Sequence, residues 1–495
     1  MKNKIIIAII LSFGFLWSCE DLDVEALNHV GLAEVLGDPD KMPAYVEGSA
    51  YDFWKATEWS WPTFALACAG QTLSSSYTNY GSQDMNLVPK QPFANTTTYN
   101  FNDIVEIPWQ YLNAGIVKIN NIFSIVENDL GGAVIDSEGN NITNRIMASG
   151  YLGRGLNLGH LGLIFDKAYI IRPETEEVVF SPWDQVIDAA IEDLENCITI
   201  AESDNTVIFD GFNGVTLTAT QMAELSHFLI AQFEALQARD EDDVDNLVDW
   251  NVVKTHAQKG LNFDFYVMAD GGEDWWTRIL QRGQRPTSAR TSWRLIKEMN
   301  PSKTDVEIPY PWPDGVNTLP QITNPDDARL DIDWDYEPSI PFPPERGYWY
   351  WSTYSYVRYE YYNLQGSNGP IPMYTVHEND LLYAEALIRT GGDKSVAASI
   401  INETRVTRGG LPALSGTSSN DDLLRAITYE RLVEHSWEGF AGGFFYRRIT
   451  SADDLKLEPG QFYHLPIPAY ELEIVGEPVY TFGGVGNEET PILLQ

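Results

Sequence analysis

The stretch Asn379-Asp-Leu-Leu-Tyr-Ala-Glu-Ala-Leu-Ile-Arg389, closed by Gly391-Gly392, decides how the chain folds. Acidic and amide residues open it, Arg389 stands in its last turn and glycines follow. These are start and stop signals that satisfy the free end groups of a helix and suit its dipole. A second helix begins near Asp393, carries Val396, Ala397, Ile400 and Ile401 on one face and ends at Gly409-Gly410. So short a connection predicts an antiparallel helical hairpin. A third helix begins after Ser419-Asn420, with Leu423, Ala426 and Ile427 on one stripe and Tyr429, Val433 and Trp437 at i, i+4, i+8. Its apolar face is expected to cap the hairpin.

Glu430, Glu434 and Glu438 also recur at i, i+4, i+8. Like charges at that spacing cost an isolated helix about 0.2–0.5 kcal/mol per pair. Cations are therefore expected to answer them, with Arg431, Arg405, Arg408, Arg447 and Arg448 as candidates for bidentate pairing. The acid and base of a glycosidase face each other across a cleft. Carboxylates sharing one helix face read instead as a structural ion network.

This block resembles the SusD/RagB family of outer-membrane nutrient-binding lipoproteins. The matching pieces are Ala384-Glu385-Ala386, then Ile401-Asn402 through Arg405 to Arg408-Gly409-Gly410-Leu411, then Glu430-Arg431 with Glu434 and Glu438-Gly439. The closing Leu465-Pro-Ile-Pro468, followed by Glu471 or Glu473, is also typical. The chain departs from the pattern at Phe440-Ala-Gly-Gly-Phe-Phe445, where the family carries a more polar, basic stretch. The resemblance implies a mostly α fold in which tetratricopeptide-like helix pairs form a superhelical scaffold, over about 40–260 and 377–495. A loop-rich region with short strands, over about 263–362 plus 70–98, would carry the ligand face. It also implies a SusC-like TonB-dependent transporter as partner, over which the protein acts as a lid that captures oligosaccharides and delivers them. No cofactor or metal is called for.

The 495 residues are 44% hydrophobic, enough to bury a large core in one domain or two closely packed ones. The formal charge of −39 is spread along the chain. It excludes nucleic-acid binding and adhesion to anionic lipid through a basic patch.

Residues 1–18 hold Lys2 and Lys4 and then an uncharged apolar run from Ile5 to Trp17, too short to span a bilayer, so they read as an export signal. Leu16-Trp17-Ser18-Cys19 looks like a bacterial lipobox, which implies cleavage before Cys19 and acylation of that residue. Glu20, Asp21 and Asp23 resemble the acidic tag that directs such lipoproteins to the outer face of the outer membrane. Cys68 and Cys197 remain. They could form one disulfide, but their apolar surroundings favour separate buried thiols.

Amphipathic helices are expected over Tyr45–Trp54, Trp109–Val126, Ser149–Tyr169, Trp183–Cys197 and Thr220–Arg239. Ser181-Pro182-Trp183 should start the fourth, with Ser181 as cap. The run Asp240–Asp245 lacks the glycine and glutamate of a calcium loop and reads as a solvated turn. Gly70–Thr98 is a long polar interruption with Tyr77 and Tyr80 as aromatic islands, the kind of loop that carries function. From Phe263 to Tyr362 the helical period gives way to prolines and aromatics. Gly347–Tyr362 alternates like a strand with cross-strand aromatic pairs. Trp275, Trp276 and Trp312 sit instead beside Gly, Asp and Pro, in loop-like segments suited to a ligand platform.

A sugar ring presents an apolar face of C–H groups and a rim of hydroxyls, so its site needs flat aromatics with a few polar partners. Trp275, Trp276, Trp312, Tyr77 and Tyr80 are the candidate ligand-binding residues. Stacking on peptide side chains would use the same set. There is no His-Glu-x-x-His, Gly-x-Ser-x-Gly, phosphate loop or Cys-x-x-Cys, and His256, His377 and His435 read as isolated. Two glycosidase carboxylates leave almost no sequence signature, which keeps a surface glycosidase as the minor alternative.

Overall fold

The computed structural model describes residues 38–494 apart from 60, 76–80, 284, 286, 311–319, 340–351 and 442. The scaffold is carried by α1 (Ser49–Ala56), α2 (Asp103–Asn128), α3 (Thr143–Ile164), α4 (Trp183–Ser203), α5 (Ala219–Leu236), α6 (Trp250–Ala257), α7 (Val376–Arg389), α8 (Lys394–Thr407) and α9 (Asn420–Val433). Each of α2 to α8 packs on the next, and α9 closes on α7 and α8. This is the stacked, mostly helical architecture expected, and every strand pair among the described residues is a two-stranded antiparallel ladder.

The centre of the stack is α3, buried on all sides rather than along one stripe. Its glycines make this possible. A Cβ on Gly155 would stand 2.7 Å from the Leu194 side chain of α4, and one on Gly159 would stand 2.0 Å from the Phe233 ring of α5. Each mid-helix glycine costs about 1 kcal/mol relative to alanine, which the close approach of neighbouring helices offsets through packing. The helix ends at Ile164, earlier than the apolar pattern suggested, because Lys167–Tyr169 turns out as a strand against Phe180–Pro182. Ser181 belongs to that second strand, so Pro182 and not Ser181 stands at the N-cap of α4.

Hydroxyl and carboxylate caps start the decisive hairpin. Thr375 accepts from the amide of Glu378, Asp393 from that of Ser395 and Ser419 from that of Asp422. Leu381, Ala384, Ile388, Ala397, Ile401, Leu423 and Ile427 form a core cluster of their own. Val396, placed on the apolar face by its spacing, is 41% exposed. The third helix also stops at Val433, so Trp437 lies in a turn at φ +64° instead of on the stripe, held by the Tyr356 ring at 4.8 Å. Asp240–Asp245 is no bare turn either. Asp240 caps a short helix, Glu241–Asn246, which buries Val244.

Between α6 and α7, which pack on each other, the chain makes an excursion of more than a hundred residues. Antiparallel strands Phe265–Asp270 and Asn368–Tyr374 pair at its base, with Val267 opposite Ile371. Within it, Trp334–Tyr336 pairs with Tyr354–Tyr356, giving the cross-strand aromatic pairs Trp334–Tyr356 and Tyr336–Tyr354. The alternation does not run on to Tyr362, because Glu360–Leu364 is helical.

Arg329, from this excursion, is what answers the glutamates. It pairs with Glu430 at 2.7 and 3.1 Å, entirely out of solvent, and with the nearly buried Glu434 at 3.1 Å. Arg358 joins Glu434 at 3.1 Å and Glu438 at 3.6 Å, and Arg408 joins Glu434 at 2.9 Å. Of the five arginines nominated by spacing, Arg408 is the one in an ion pair with this triad among the described residues. Arg431 pairs with Glu385, Arg447 with Glu298, Arg405 donates to the Pro412 carbonyl and Arg448 to those of Tyr463 and Leu236.

Among the described residues of the polar stretch after residue 70, 71–75 are buried, and Phe93 and Asn95 are buried between exposed neighbours. Asn95 donates to the carbonyls of Ile467 and Tyr480 and accepts from Ala469, so it anchors the Leu465-Pro-Ile-Pro468 segment. Lys90 donates to the Met85 carbonyl, and burial lowers its pKa to about 7. Cys68 and Cys197 are buried and form no disulfide. Among the described residues no helix is long and apolar enough to cross a membrane.

Candidate functional site

Trp275 is delivered by a loop built around one carboxylate. The Asp270 side chain accepts from the amides of Glu273, Asp274 and Trp275 at 3.1, 3.0 and 3.0 Å. The turn needs positive φ at Gly271 and Gly272, +88° and +92°, which glycine adopts without steric cost. The loop lays the half-buried Trp275 ring against α1, 5.3 Å from Tyr51 and 5.4 Å from the buried Trp54. The Tyr51 hydroxyl donates to Asp274 at 2.6 Å. Burial first, and then this bond, push the Tyr51 phenol well above its ordinary range.

Lys55, one turn further along α1, lies 3.7 Å from the centre of the half-buried Trp59 ring and 5.0 Å from that of Tyr51. Burial lowers its pKa, against the pull of Asp274 and Asp270. The result is a partly open face of Tyr51, Trp275 and Trp59, edged by an ammonium and carboxylates. Such a face can stack on the C–H side of a ring while its edges exchange hydrogen bonds with hydroxyls.

The structure separates the two neighbouring tryptophans. Trp276 is 8% exposed, edge-on to Trp59 and covered by the Arg278 guanidinium at 4.1 Å. Its ring supports the face from behind, and Trp54 donates to its carbonyl at 3.1 Å. Tyr51, Lys55 and Trp59 were not singled out from sequence. Their i, i+4, i+8 spacing, an aromatic and cationic stripe running off one helix, was the available signal.

Tyr77, Tyr80 and Trp312, together with Cys19, lie outside the described residues. The ends of the segments that hold the first three do not. Strand Leu73–Ser74 pairs with Arg290–Thr291, and the Ser75 hydroxyl donates to the Ser288 carbonyl at 2.9 Å. Trp293 donates to the Pro309 carbonyl at 2.7 Å, Arg290 to that of Ser339 at 2.9 Å, and Ser352 to that of Thr291 at 2.7 Å. Residues 288–293 therefore fasten the flanks of 76–80, 311–319 and 340–351 in one place.

The histidines that read as isolated come in pairs. His377 Nδ1 lies 2.8 Å from His435 Nε2, and His435 Nδ1 bonds Glu438 at 2.7 Å. His227 and His256 bring their Nδ1 atoms to 2.9 Å. Burial holds His377 and His227 at about 4, while the Glu438 carboxylate outweighs the burial of His435 and raises it. Among the described residues no group of three or more His, Cys, Asp and Glu is arranged to hold a metal ion.

No family model matches the chain, and no curated protein does. Solved structures do. A SusD superfamily protein from Parabacteroides distasonis aligns at TM-score 0.60 and 14% identity over 88% of this chain and 97% of that one. A SusD superfamily protein from Bacteroides thetaiotaomicron gives 0.56 and 14% over 88% and 98%. A SusD-like carbohydrate-binding protein from Bacteroides vulgatus gives 0.54 and 17% over 83% and 82%. At such identities the likeness is one of backbone architecture, and it spans most of each chain. The polypeptide has the SusD-like fold.

Proposed function

We propose that this protein captures oligosaccharides non-covalently at the cell surface and delivers them to a SusC-like TonB-dependent transporter. The observation that carries the reading is the partly open face of Tyr51, Trp275 and Trp59 with Lys55 and Asp274 at its edge. Flat rings bordered by hydrogen-bonding groups suit a neutral glycan, which is indifferent to the formal charge of −39. Tyr77, Tyr80 and Trp312 extend the ligand face in this reading, and the common anchorage of their segments at residues 288–293 supports it. The domain plan follows: helices over about 40–260 and 377–495 form the scaffold, and the excursion with residues 70–98 forms the ligand region. Residues 1–18 are an export signal, and acylated Cys19 tethers the chain to the outer membrane facing outward. The fold shared with a carbohydrate-binding relative adds weight. Capture makes and breaks no covalent bond.

Isothermal titration of residues 20–495 against neutral and acidic oligosaccharides, with peptide pools alongside, tests the reading. One glycan class should give heat without product formation, and Trp275→Ala should abolish it. Heat from peptides with silence across the sugars would replace the ligand class, and sugar release by the purified protein would make it an enzyme.

A further inference from the structure

We propose that the groove between α2, α3 and α4 is a second binding site, one that takes a lysine or arginine side chain from a basic segment of a partner polypeptide. The proposal rests on a different part of the molecule from the aromatic face and stands whether or not that face binds glycans.

The groove is a cleft of about 600 Å³. Its floor is one face of α3, where Met147, Tyr151 and Arg154 follow each other at near-helical spacing. This floor is built and rigid. Arg154 is 4% exposed, grips Asp193 with two bonds of 2.8 and 2.7 Å and donates a third to Asn120 at 2.7 Å. Its guanidinium lies over the rings of Phe123 and Tyr151 at 4.8 and 5.7 Å. Arg172 takes Asp193 from the other side at 2.7 Å. The charge of Asp193 is consumed by two arginines and is not on offer to a ligand.

What remains open is aromatic and acidic. Tyr151 is half-buried, edge-on to Phe123 at 5.0 Å, and its hydroxyl makes no hydrogen bond within the described residues. Around it stand Glu127, Glu174 and Glu192. The first two make no ion pair among the described residues, and Glu192, with its side chain 72% exposed, has Arg172 at 3.8 Å as its cation. At the end of α2, Gly131 and Gly132 sit at φ +65° and +84° with nothing within 4 Å of where a Cβ would be, which leaves bare backbone beside the cleft.

An aromatic floor under a rim of three carboxylates, two of them without a cation among the described residues, suits an alkyl stem that carries a positive head. The stem lies on Tyr151 and Met147, and the head meets the glutamates in charge-assisted hydrogen bonds. An anion would meet three carboxylates and arginines already paired. A neutral sugar would leave the rim's charge unused. The formal charge of −39 raises the encounter rate of any basic segment with this chain, and open backbone at Gly131-Gly132 gives an extended polypeptide something to run along.

The test is titration of residues 20–495 with tetralysine, tetraalanine and tetraaspartate at low and physiological salt. Tetralysine should bind at one site per chain, and the other two peptides should not. Exchanging the rim, Glu127→Gln with Glu174→Gln and Glu192→Gln, should weaken tetralysine about ten-fold or more. Tyr151→Ala, checked for an unchanged circular dichroism spectrum, should weaken it about three-fold or more at physiological salt, where bulk charge is screened. A control with Glu403→Gln, Asp421→Gln and Glu473→Gln removes as many exposed carboxylates elsewhere and should leave binding unchanged, as should Trp275→Ala. Equal weakening by that control, which would mean attraction to the bulk field only, overturns the proposal. So does tetraaspartate binding in place of tetralysine, or no binding at all.

Discussion

Arg329 and Glu430 stand 101 residues apart in sequence and meet in a two-point ion pair, 2.7 and 3.1 Å, with neither side chain reaching solvent. The arginine belongs to the excursion and the glutamate to α9, so the pair fastens the excursion to the scaffold. Truncating Glu430 leaves Arg329 with Asp327 and Glu434, whereas truncating Arg329 strands Asp327 and Glu430 as buried charges. The single variant Arg329→Ala should therefore cost about 3–5 kcal/mol, and Glu430→Ala less, since the guanidinium then keeps two carboxylates. Urea unfolding midpoints decide the matter: an unchanged midpoint in the single variant would show that the pair fastens nothing.

Glu434 sets an acid limit. Burial alone would raise its carboxyl, but Arg358, Arg329 and Arg408 outweigh burial and hold it at about 2 against an ordinary 4.5. A carboxyl depressed in the folded state contributes stability that is complete above its unfolded pKa and is lost as pH falls through the folded one. Melting temperature should therefore drop between pH 4.5 and about 2. Glu434→Gln should flatten that part of the profile, and a variant that keeps the full slope would move the acid sensitivity elsewhere.

The neighbouring tryptophans should part company under mutation. Trp276→Ala removes a buried ring and should cost about 3–5 kcal/mol of stability. Trp275→Ala removes a half-buried one, should cost less and should abolish oligosaccharide binding. Calorimetric melting alongside titration separates the two effects. A Trp275→Ala protein that binds glycans normally would remove this face from the ligand site.

At Gly159 the scaffold has no room. A Cβ there would meet the Phe233 ring at 2.0 Å, and Phe233 is itself fully buried. Alanine gains about 1 kcal/mol in helix propensity but overpacks α3 against α5 at about 1–3 kcal/mol. Gly159→Ala should thus be destabilising in chemical denaturation, and adding Phe233→Leu should relieve it. A stabilised single variant would mean that the interface yields freely.

The helical hairpin of α7 and α8 with α9 was legible because its signals are local. Asp393 and Ser419 cap close to where helix starts were read, and Ala397, Ile401, Leu423 and Ile427 are buried as their periods require. The helices α2, α4 and α5 followed from the same periodicity. Val396 was misplaced because a period gives a face but not where the neighbouring element stops covering it, and buried Trp437 because its helix ends at Val433. Trp275 was legible as a loop aromatic. Its partners Tyr51, Lys55 and Trp59 were not, since they lie more than two hundred residues away, on a helix that reads as scaffold and just past its end.

Fold class, the existence of the long helices and the change from helical period to an aromatic, loop-rich stretch were determined by the sequence itself, because capping and hydrophobic period act within a few residues. Only the tertiary structure decided which charges answer Glu430 and Glu434, which tryptophan shows a face, and that His377 and His435 are a pair. Those outcomes depend on contacts between segments far apart in the chain, where burial and Coulomb attraction choose a partner by distance in space.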